Sequence, residues 1–458
     1  YKRQIHQSIH PMLTVEQVLR HGPATARQLT EALGISQPTL SRRIRELAGA
    51  VLILGKGKAT RYVLRRGIGG ERQFPLYRVD ERGKAHLFAT LCPLYPADNC
   101  AVCDERSGEW QLYDGLPWYL NDLRPIGFLG RAWGKAAAHE LNLPEDVRRW
   151  DEGQRLLALC RYGEDMTGDL LPGADSYQRW LMRETAVAIA TEDKTERYAA
   201  LSVQALAGEL VGSSAGGEQP KFAAYAELTS GHRAHVLVKF SLAPTHVIAQ
   251  RWSDLLIAES LALQTVAAAG LPAATTQILF GADRQCFLEV ERFDRIGEEG
   301  RVAMVSLEAL DAEFSGSGHA NWVVAANRLL QQGAIDRSAC QRIALYWAFG
   351  RLIANSDMHQ GNLSFLRPTQ RPVMLAPLYD MLPMAFAPAS SGNLRHDAVE
   401  IRLSNEVSGA VWRQAELLAL EFWRRTAQHD DISEAFRAIA EQMLAQLQKL
   451  HERIQRLA

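Results

Sequence analysis

Residues 352–365 read Leu-Ile-Ala-Asn-Ser-Asp-Met-His-Gln-Gly-Asn-Leu-Ser-Phe, and residues 375–381 read Leu-Ala-Pro-Leu-Tyr-Asp-Met. An apolar run delivers Asp357 into a polar loop, Asn362 follows after four residues, and a second apolar run delivers Asp380. This D-x-x-x-x-N spacing with a later Asp at a strand end is the arrangement phosphoryl transfer needs. One carboxylate orients the attacking hydroxyl and accepts its proton, while the amide and the second carboxylate offer hard oxygens to magnesium on nucleotide phosphates. The spacing alone is common, so its meaning depends on what accompanies it.

Upstream lies Gly212-Ser-Ser-Ala-Gly-Gly-Glu-Gln-Pro-Lys221, directly before a strand-like run. Ser213, Ser214, Ala215, Gly216 and Gly217 form a candidate phosphate cradle, because glycines let backbone amides approach an anion closely. The spacing is neither a Walker A loop nor a dinucleotide-binding fingerprint. Val236-Leu-Val-Lys239-Phe then places one lysine in an apolar strand, where an unpaired ammonium is expensive. Glu259, isolated among apolar neighbours on the following helix, is the candidate partner, and a strand Lys with a helix Glu is the kinase grip on nucleotide phosphates. Leu288-Glu-Val-Glu291-Arg-Phe-Asp294 reads as the strand entering an inter-lobe hinge, where backbone groups would meet a nucleotide base. His359, inside the Asp357 loop, is counted with the nucleotide-binding residues, and shaping the loop is its expected part.

Taken in this order, these five segments resemble the HipA family of serine/threonine kinases, toxins of bacterial toxin–antitoxin systems. The resemblance covers roughly residues 200–385. It implies a two-lobed, ATP- and Mg2+-dependent protein kinase in which Asp357 is the catalytic base, Asn362 and Asp380 hold magnesium, and Lys239, oriented by Glu259, contacts phosphate. It also implies a protein substrate with a Ser/Thr acceptor, by family precedent a translation component such as an aminoacyl-tRNA synthetase. A regulatory serine of the glycine-rich loop aligns with Ser214, with Ser213 as runner-up, and its autophosphorylation would silence the enzyme. Gly216 stands where some relatives carry a second serine.

The formal net charge of −1 conceals a split. Residues 1–66 hold 12 Lys/Arg against 3 Glu (+9), and the rest holds 39 basic and 49 acidic residues (−10). Thr14-Val-Glu-Gln17 and Thr25-Ala-Arg-Gln28 are capping boxes marking two helix starts. Ser36 and Pro38 open a third helix running to about Leu47. Two strand-like runs, Val51–Leu54 and Arg61–Leu64, flank Gly55-Lys-Gly-Lys58. This is the layout of a winged helix-turn-helix. Gln37, Thr39, Arg42 and Arg43 are the candidate base-reading residues, and Lys56, Lys58 and Arg61 the candidate wing contacts to double-stranded DNA.

The expected fold class is therefore α+β: a winged helix over 1–66, a Gly/Arg linker, a mixed α/β subdomain over 71–195, a kinase N-lobe over 196–300 and a helical C-lobe over 301–458. The DNA-binding head would let one chain autoregulate its own transcription. The alternative is a transcriptional regulator whose kinase fold senses nucleotide without transfer, although such a sensor has no need of Asp357. Small-molecule kinases use a similar Asp/Asn/Asp set, but the paired glycine-rich motifs of sugar kinases are missing.

Six irregularly spaced cysteines describe no disulfide framework, so a reducing cytoplasm is expected. The N-terminal residues lack the apolar stretch of a secretory signal, and Leu255–Ala274 is broken by Glu259, Ser260 and Gln264, so no membrane association is expected. Cys92, Cys100 and Cys103 with His86 raise a zinc site, which the absence of a second C-x-x-C pair makes a minor reading. Apolar positions stepping by three and four through Ile432–Leu457 give one helical stripe, expected to dock on its own domain. The alternative cover for that stripe is a second copy of the chain, a homodimer.

Overall fold

The computed structural model describes residues 13–208, 217–389, 393–394 and 399–457. The serines proposed for autophosphorylation, Ser213 and Ser214, and also Ala215 and Gly216, lie outside the described residues.

The basic head forms α1 (Val15–Leu19), α2 (Ala26–Leu33), α3 (Gln37–Glu46) and an antiparallel hairpin of β1 (Val51–Leu54) and β2 (Arg61–Leu64). Both capping boxes close: the Thr14 and Thr25 hydroxyls accept from the amides of Gln17 and Gln28, whose side chains reach back to the cap amides. Ser36 caps α3 in the same way, its hydroxyl accepting from the Thr39 amide. Val15, Leu19, Leu29, Leu40, Ile44, Val51 and Leu64 bury one small core. Arg65-Arg66 does not behave as a free linker. The Arg66 amide donates to the Pro93 carbonyl (2.8 Å) and the Tyr95 amide to Leu64 (2.9 Å), so the hairpin edge pairs with the next sheet, and Leu54 and Val63 pack against Leu94 and Ala101.

That sheet is antiparallel, ordered β6-β5-β4-β3-β7, from β3 (Phe74–Val79), β4 (Ala85–Pro93), β5 (Cys100–Asp104), β6 (Trp110–Tyr113) and β7 (Leu170–Pro172). Helices α4 (Gly127–Leu141) and α5 (Glu152–Tyr162) cover one face through Trp133 and Leu159, with Trp150 of the connection between them, and α6 (Ala174–Met182) follows β7. Strand alternation dissolves the zinc reading. Cys100 points into this core and donates to the Gly115 carbonyl, whereas Cys92, paired with Ala101, and Cys103 belong to the opposite face, and His86 Nε2 meets Asp80. A C-x-x-C on a strand sends its two thiols to opposite sides. Among the described residues no cluster of His, Cys, Asp or Glu could hold a metal on three or more of them.

Helix α7 (Lys194–Ala207) leads to a four-stranded antiparallel sheet ordered β10-β11-β9-β8. Its strands are β8 (Lys221–Glu227), β9 (Arg233–Phe240), β10 (Thr276–Phe280) and β11 (Cys286–Glu291), and α8 (Val247–Ala268) joins β9 to β10. One face packs on α7 through Tyr198, Phe222 and Phe287; the other packs on α8 through Cys286, Leu288 and Val290. Helix α8 is opened by His246, whose Nδ1 caps it by accepting from the Ala249 amide.

The short ladder β12 (Arg295–Ile296) with β13 (Gly300–Arg301) precedes a three-stranded sheet of β14 (Met304–Ser306), β15 (Ser364–Leu366) and β16 (Met374–Leu375). Around it stand α9 (Leu307–Phe314), α10 (Trp322–Gln331), α11 (Arg337–Leu352), α12 (Gly409–Gln428) and α13 (Glu434–Gln455). Trp322, Trp412, Phe422 and Trp423 are fully buried in the largest core, which also takes in α8. Phe436, Met443, Leu447 and Ile454 of the C-terminal stripe are buried in the same core, so α13 docks within its own chain. Among the described residues no helix is long and apolar enough to cross a membrane.

Candidate active site

Strand β9 turns Lys239 toward α8, where Glu259 is 1 % exposed. Lys239 Nζ donates to both Glu259 oxygens at 2.7 and 2.8 Å and also to the Asp380 carboxylate. Burial alone would lower this ammonium, but Asp380 and Glu259 outweigh it and hold the lysine above its ordinary value. Asp380 follows β16 at φ +54°, a left-handed conformation uncommon for a non-glycine residue, and this turns its carboxylate back onto the lysine. Burial opposes ionisation of Asp380, and Lys239 and Lys221 together reverse that, keeping it below the usual carboxylate range.

Asp357 lies in the loop between α11 and β15. Gly350, in the last turns of α11, permits this: a Cβ there would collide with the sulfur of Met358. The loop is tied to itself, since the Asp357 amide donates to Asn355 Oδ1 (3.0 Å) and Asn362 Nδ2 donates to the Asp357 carbonyl (2.8 Å). It is also tied to its surroundings. Trp322 Nε1 donates to the His359 carbonyl (2.8 Å), Gln360 Nε2 to the Gly318 and Ala320 carbonyls, and the Tyr379 hydroxyl to Gly361 (3.0 Å). His359 caps the short turn Gln360–Asn362, its Nδ1 accepting from the Gly361 amide (3.1 Å), which is the loop-shaping part expected of it. Partial desolvation and the nearby Asp380 push the Asp357 carboxyl up, against the pull of His359 and Lys239.

The structure thus brings Lys239, Glu259 and Asp380 into direct contact, with Asp357, His359 and Asn362 on the adjoining loop. It does not bring the Glu291 side chain there. Side chains alternate along β11, so Glu291 shares the face of Phe287 and Glu289, opposite that of Leu288, and its carboxylate meets His232 Nε2 at 3.3 Å. Only the backbone of that segment remains available for the hinge role. Conversely, the site includes Lys221, a residue not singled out from the sequence. It is the register partner of Lys239 across β8 and β9 and is pushed down to about 8 by burial and by Lys239. Its signal was cross-strand: two lysines at paired positions of adjacent strands. Gly217, at φ +91°, stands beside the Lys221 ammonium.

The donor set suits magnesium. Asn362 Nδ2 is engaged with the Asp357 carbonyl, so its Oδ1 is the atom that could face a cation, and Asp380 is held below the usual carboxylate range. A hard cation that keeps waters and substrate phosphates in its shell takes only one or two such protein oxygens.

In the head, Arg42 is exposed on the side of α3 away from Leu40 and Ile44, and Arg43 is half-buried. Gln37 is exposed on the first turn, in line with Leu40 and Ile44, and the Thr39 hydroxyl is engaged with Ser36 Oγ at 3.0 Å as part of the cap. Lys56, Lys58 and Arg61 belong to the hairpin turn and the start of β2; Lys56 and Arg61 are exposed.

Residues 213–451, more than half the chain, match the HipA-like C-terminal domain, and residues 70–181 match the middle domain of YjjJ-like toxins. The chain belongs to the HipA-like family. It is 45 % identical over 446 residues to Toxin YjjJ of Escherichia coli (strain K12), covering 97 % of this chain and all of that one. Two solved structures are more distant. Shewanella oneidensis HipA, from a complex with HipB and operator DNA, matches at 15 % identity and a TM-score of 0.44, over 82 % of this chain and 97 % of that one. The Helicobacter pylori proinflammatory kinase CtkA matches at 14 % and 0.35, over 51 % and 88 %. Membership, with the match to Toxin YjjJ, makes the chain a HipA-type kinase toxin.

Proposed function

We propose that this chain transfers the γ-phosphate of ATP to a serine or threonine of a target protein, with Asp357 as the base. The observation that carries this reading is the contact of Lys239 with both Glu259 and Asp380, next to a loop whose internal hydrogen bonds fix Asp357 and Asn362. Lys239 and Lys221 would meet the phosphates, and Asp357 would orient the acceptor hydroxyl and take its proton. Asn362 and Asp380 would hold magnesium, which when bound neutralises charge on the phosphates. The relative's name supports a toxin role; to this we add, from the family resemblance alone, a cytoplasmic location, a translation component as the target class and Ser214, or failing that Ser213, as the site of self-phosphorylation.

We read residues 1–66 as a winged helix-turn-helix that binds double-stranded DNA through α3 and the hairpin turn. Its +9 charge supports this, as does an alignment to Toxin YjjJ that leaves out only 3 % of the chain, so the head is not an appendage peculiar to this protein. The test is transfer from radiolabelled ATP into a cell lysate by the wild type and by Asp357→Ala. Labelling lost only in the variant establishes the kinase and exposes its target; no transfer by either favours a nucleotide sensor.

A further inference from the structure

The first turn of α4, in the middle domain, rests on the foot of the glycine-rich loop. Gly127 has φ +69°, and a Cβ there would lie 2.7 Å from the Gly217 nitrogen and 2.9 Å from its carbonyl carbon, closer still to its oxygen. Nothing but glycine fits this backbone-on-backbone contact. Helix α4 has no side-chain cap; the Phe128 amide instead donates to the Gly217 carbonyl at 2.9 Å, so the loop satisfies a donor that the helix end leaves open. One turn on, Arg131 pairs with Glu218, and the Phe128 ring joins the core of Tyr198 and Phe222 under the sheet. On its other side Gly217 abuts the Lys221 ammonium. The middle domain grips the inter-lobe segment as well: the Gly168 amide donates to Asp294 (2.9 Å), and Arg295 reaches Asp165 (3.0 Å).

We infer that the middle domain brackets the kinase cleft and sets its nucleotide affinity, with Gly127 as the positioning residue that holds Gly217 and, through it, Lys221. This rests on the nucleotide-binding reading of the cleft. A phosphate-facing loop loses affinity if its backbone can wander, because ordering it must then be offset at each binding event. A kinase lobe whose loop foot is held from outside is ordered beforehand.

The experiment compares full-length wild type, Gly127→Ala, Arg131→Glu and Arg131→Glu/Glu218→Arg by hydrogen exchange of the 217–221 peptide and by titration with a fluorescent ATP analogue. Gly127→Ala is expected to speed exchange at 217–221 and weaken the analogue by about tenfold or more. Arg131→Glu, an exposed change that cannot unfold the domain, is expected to weaken it by about two- to fivefold, with recovery in the charge-swapped pair. Unchanged exchange in both single variants overturns the bracket. Faster exchange with unaltered affinity overturns its control of nucleotide. Wild type that binds no analogue overturns the kinase reading, and with it the control of nucleotide, while the exchange result still decides the contact.

Discussion

Lys221 and Lys239 face each other in register across β8 and β9, and their ammonium groups are shifted in opposite directions. Lys239 sits between Glu259 and Asp380, while Lys221 is pushed down to about 8. Phosphate arriving beside Lys221 would favour its charged form. ATP binding near pH 8 is therefore expected to take up protons. Affinity should fall as the pH rises through 8, by up to about tenfold per pH unit. Calorimetry in buffers of differing ionisation enthalpy measures the uptake, and uptake that persists in Lys221→Met would refute the assignment. In the free protein the sign for stability is opposite. The unfolded lysine holds its proton to a higher pH than the folded one, so this group adds stability as pH rises above 8.

The Lys239–Glu259 pair is expected to be costly to break from one side. Lys239→Met leaves Glu259 buried with no ammonium partner, a loss of about 3–5 kcal/mol. Lys239→Met combined with Glu259→Leu removes both charges and should recover part of that loss. Urea unfolding of the kinase lobes followed by tryptophan fluorescence checks both. A double variant no more stable than the single one would show that packing, rather than the unpaired charge, governs the site.

Why this pair was legible and others were not follows from the range of the signals. Lys239 and Glu259 each stood alone among apolar residues, and isolated charges in apolar segments advertise a partner. Helix caps are equally local, so α1, α2 and α3 begin where Thr14, Thr25 and Ser36 indicate. Strand β10 was missed, since Thr-Gln-Ile-Leu-Phe is half-buried throughout and shows no alternation. The Glu291 side chain was misplaced because its facing depends on strand parity relative to Lys239, which only the register reveals. Lys221 and the Gly127–Gly217 contact are tertiary facts that no window of sequence contains.

Asp357→Asn is expected to lower phosphoryl transfer by about 10²- to 10⁴-fold while nucleotide affinity stays within a factor of a few, because in the role proposed for it Asp357 acts on the acceptor hydroxyl. In the wild type, the upward push on this carboxyl means transfer should fade on acidification at a higher pH than an ordinary aspartate would give. A rate–pH profile of single-turnover transfer reads this directly. An acidic limb at the ordinary aspartate value would remove Asp357 from the role.

The head carries its charge on surfaces the fold leaves open, which bears on the proposed binding of DNA. Arg42 is exposed on α3 and Lys56 and Arg61 on the hairpin, while the hairpin's other edge is committed to β4 through Arg66 and Tyr95. Contacts with phosphate release counterions, so the logarithm of the binding constant for a random-sequence duplex should fall linearly with the logarithm of salt concentration. If Arg42 and Arg61 are phosphate contacts, Arg42→Ala and Arg61→Ala should each reduce the slope by about one and weaken binding evenly across sequences. If Arg42 reads a base edge instead, its loss should cost about 1–3 kcal/mol on the specific operator and leave non-specific binding little changed. Anisotropy titrations at several salt concentrations separate the two. Binding by the full-length protein that ignores salt would remove DNA as the partner of residues 1–66 and leave the head as a protein-docking module on the kinase.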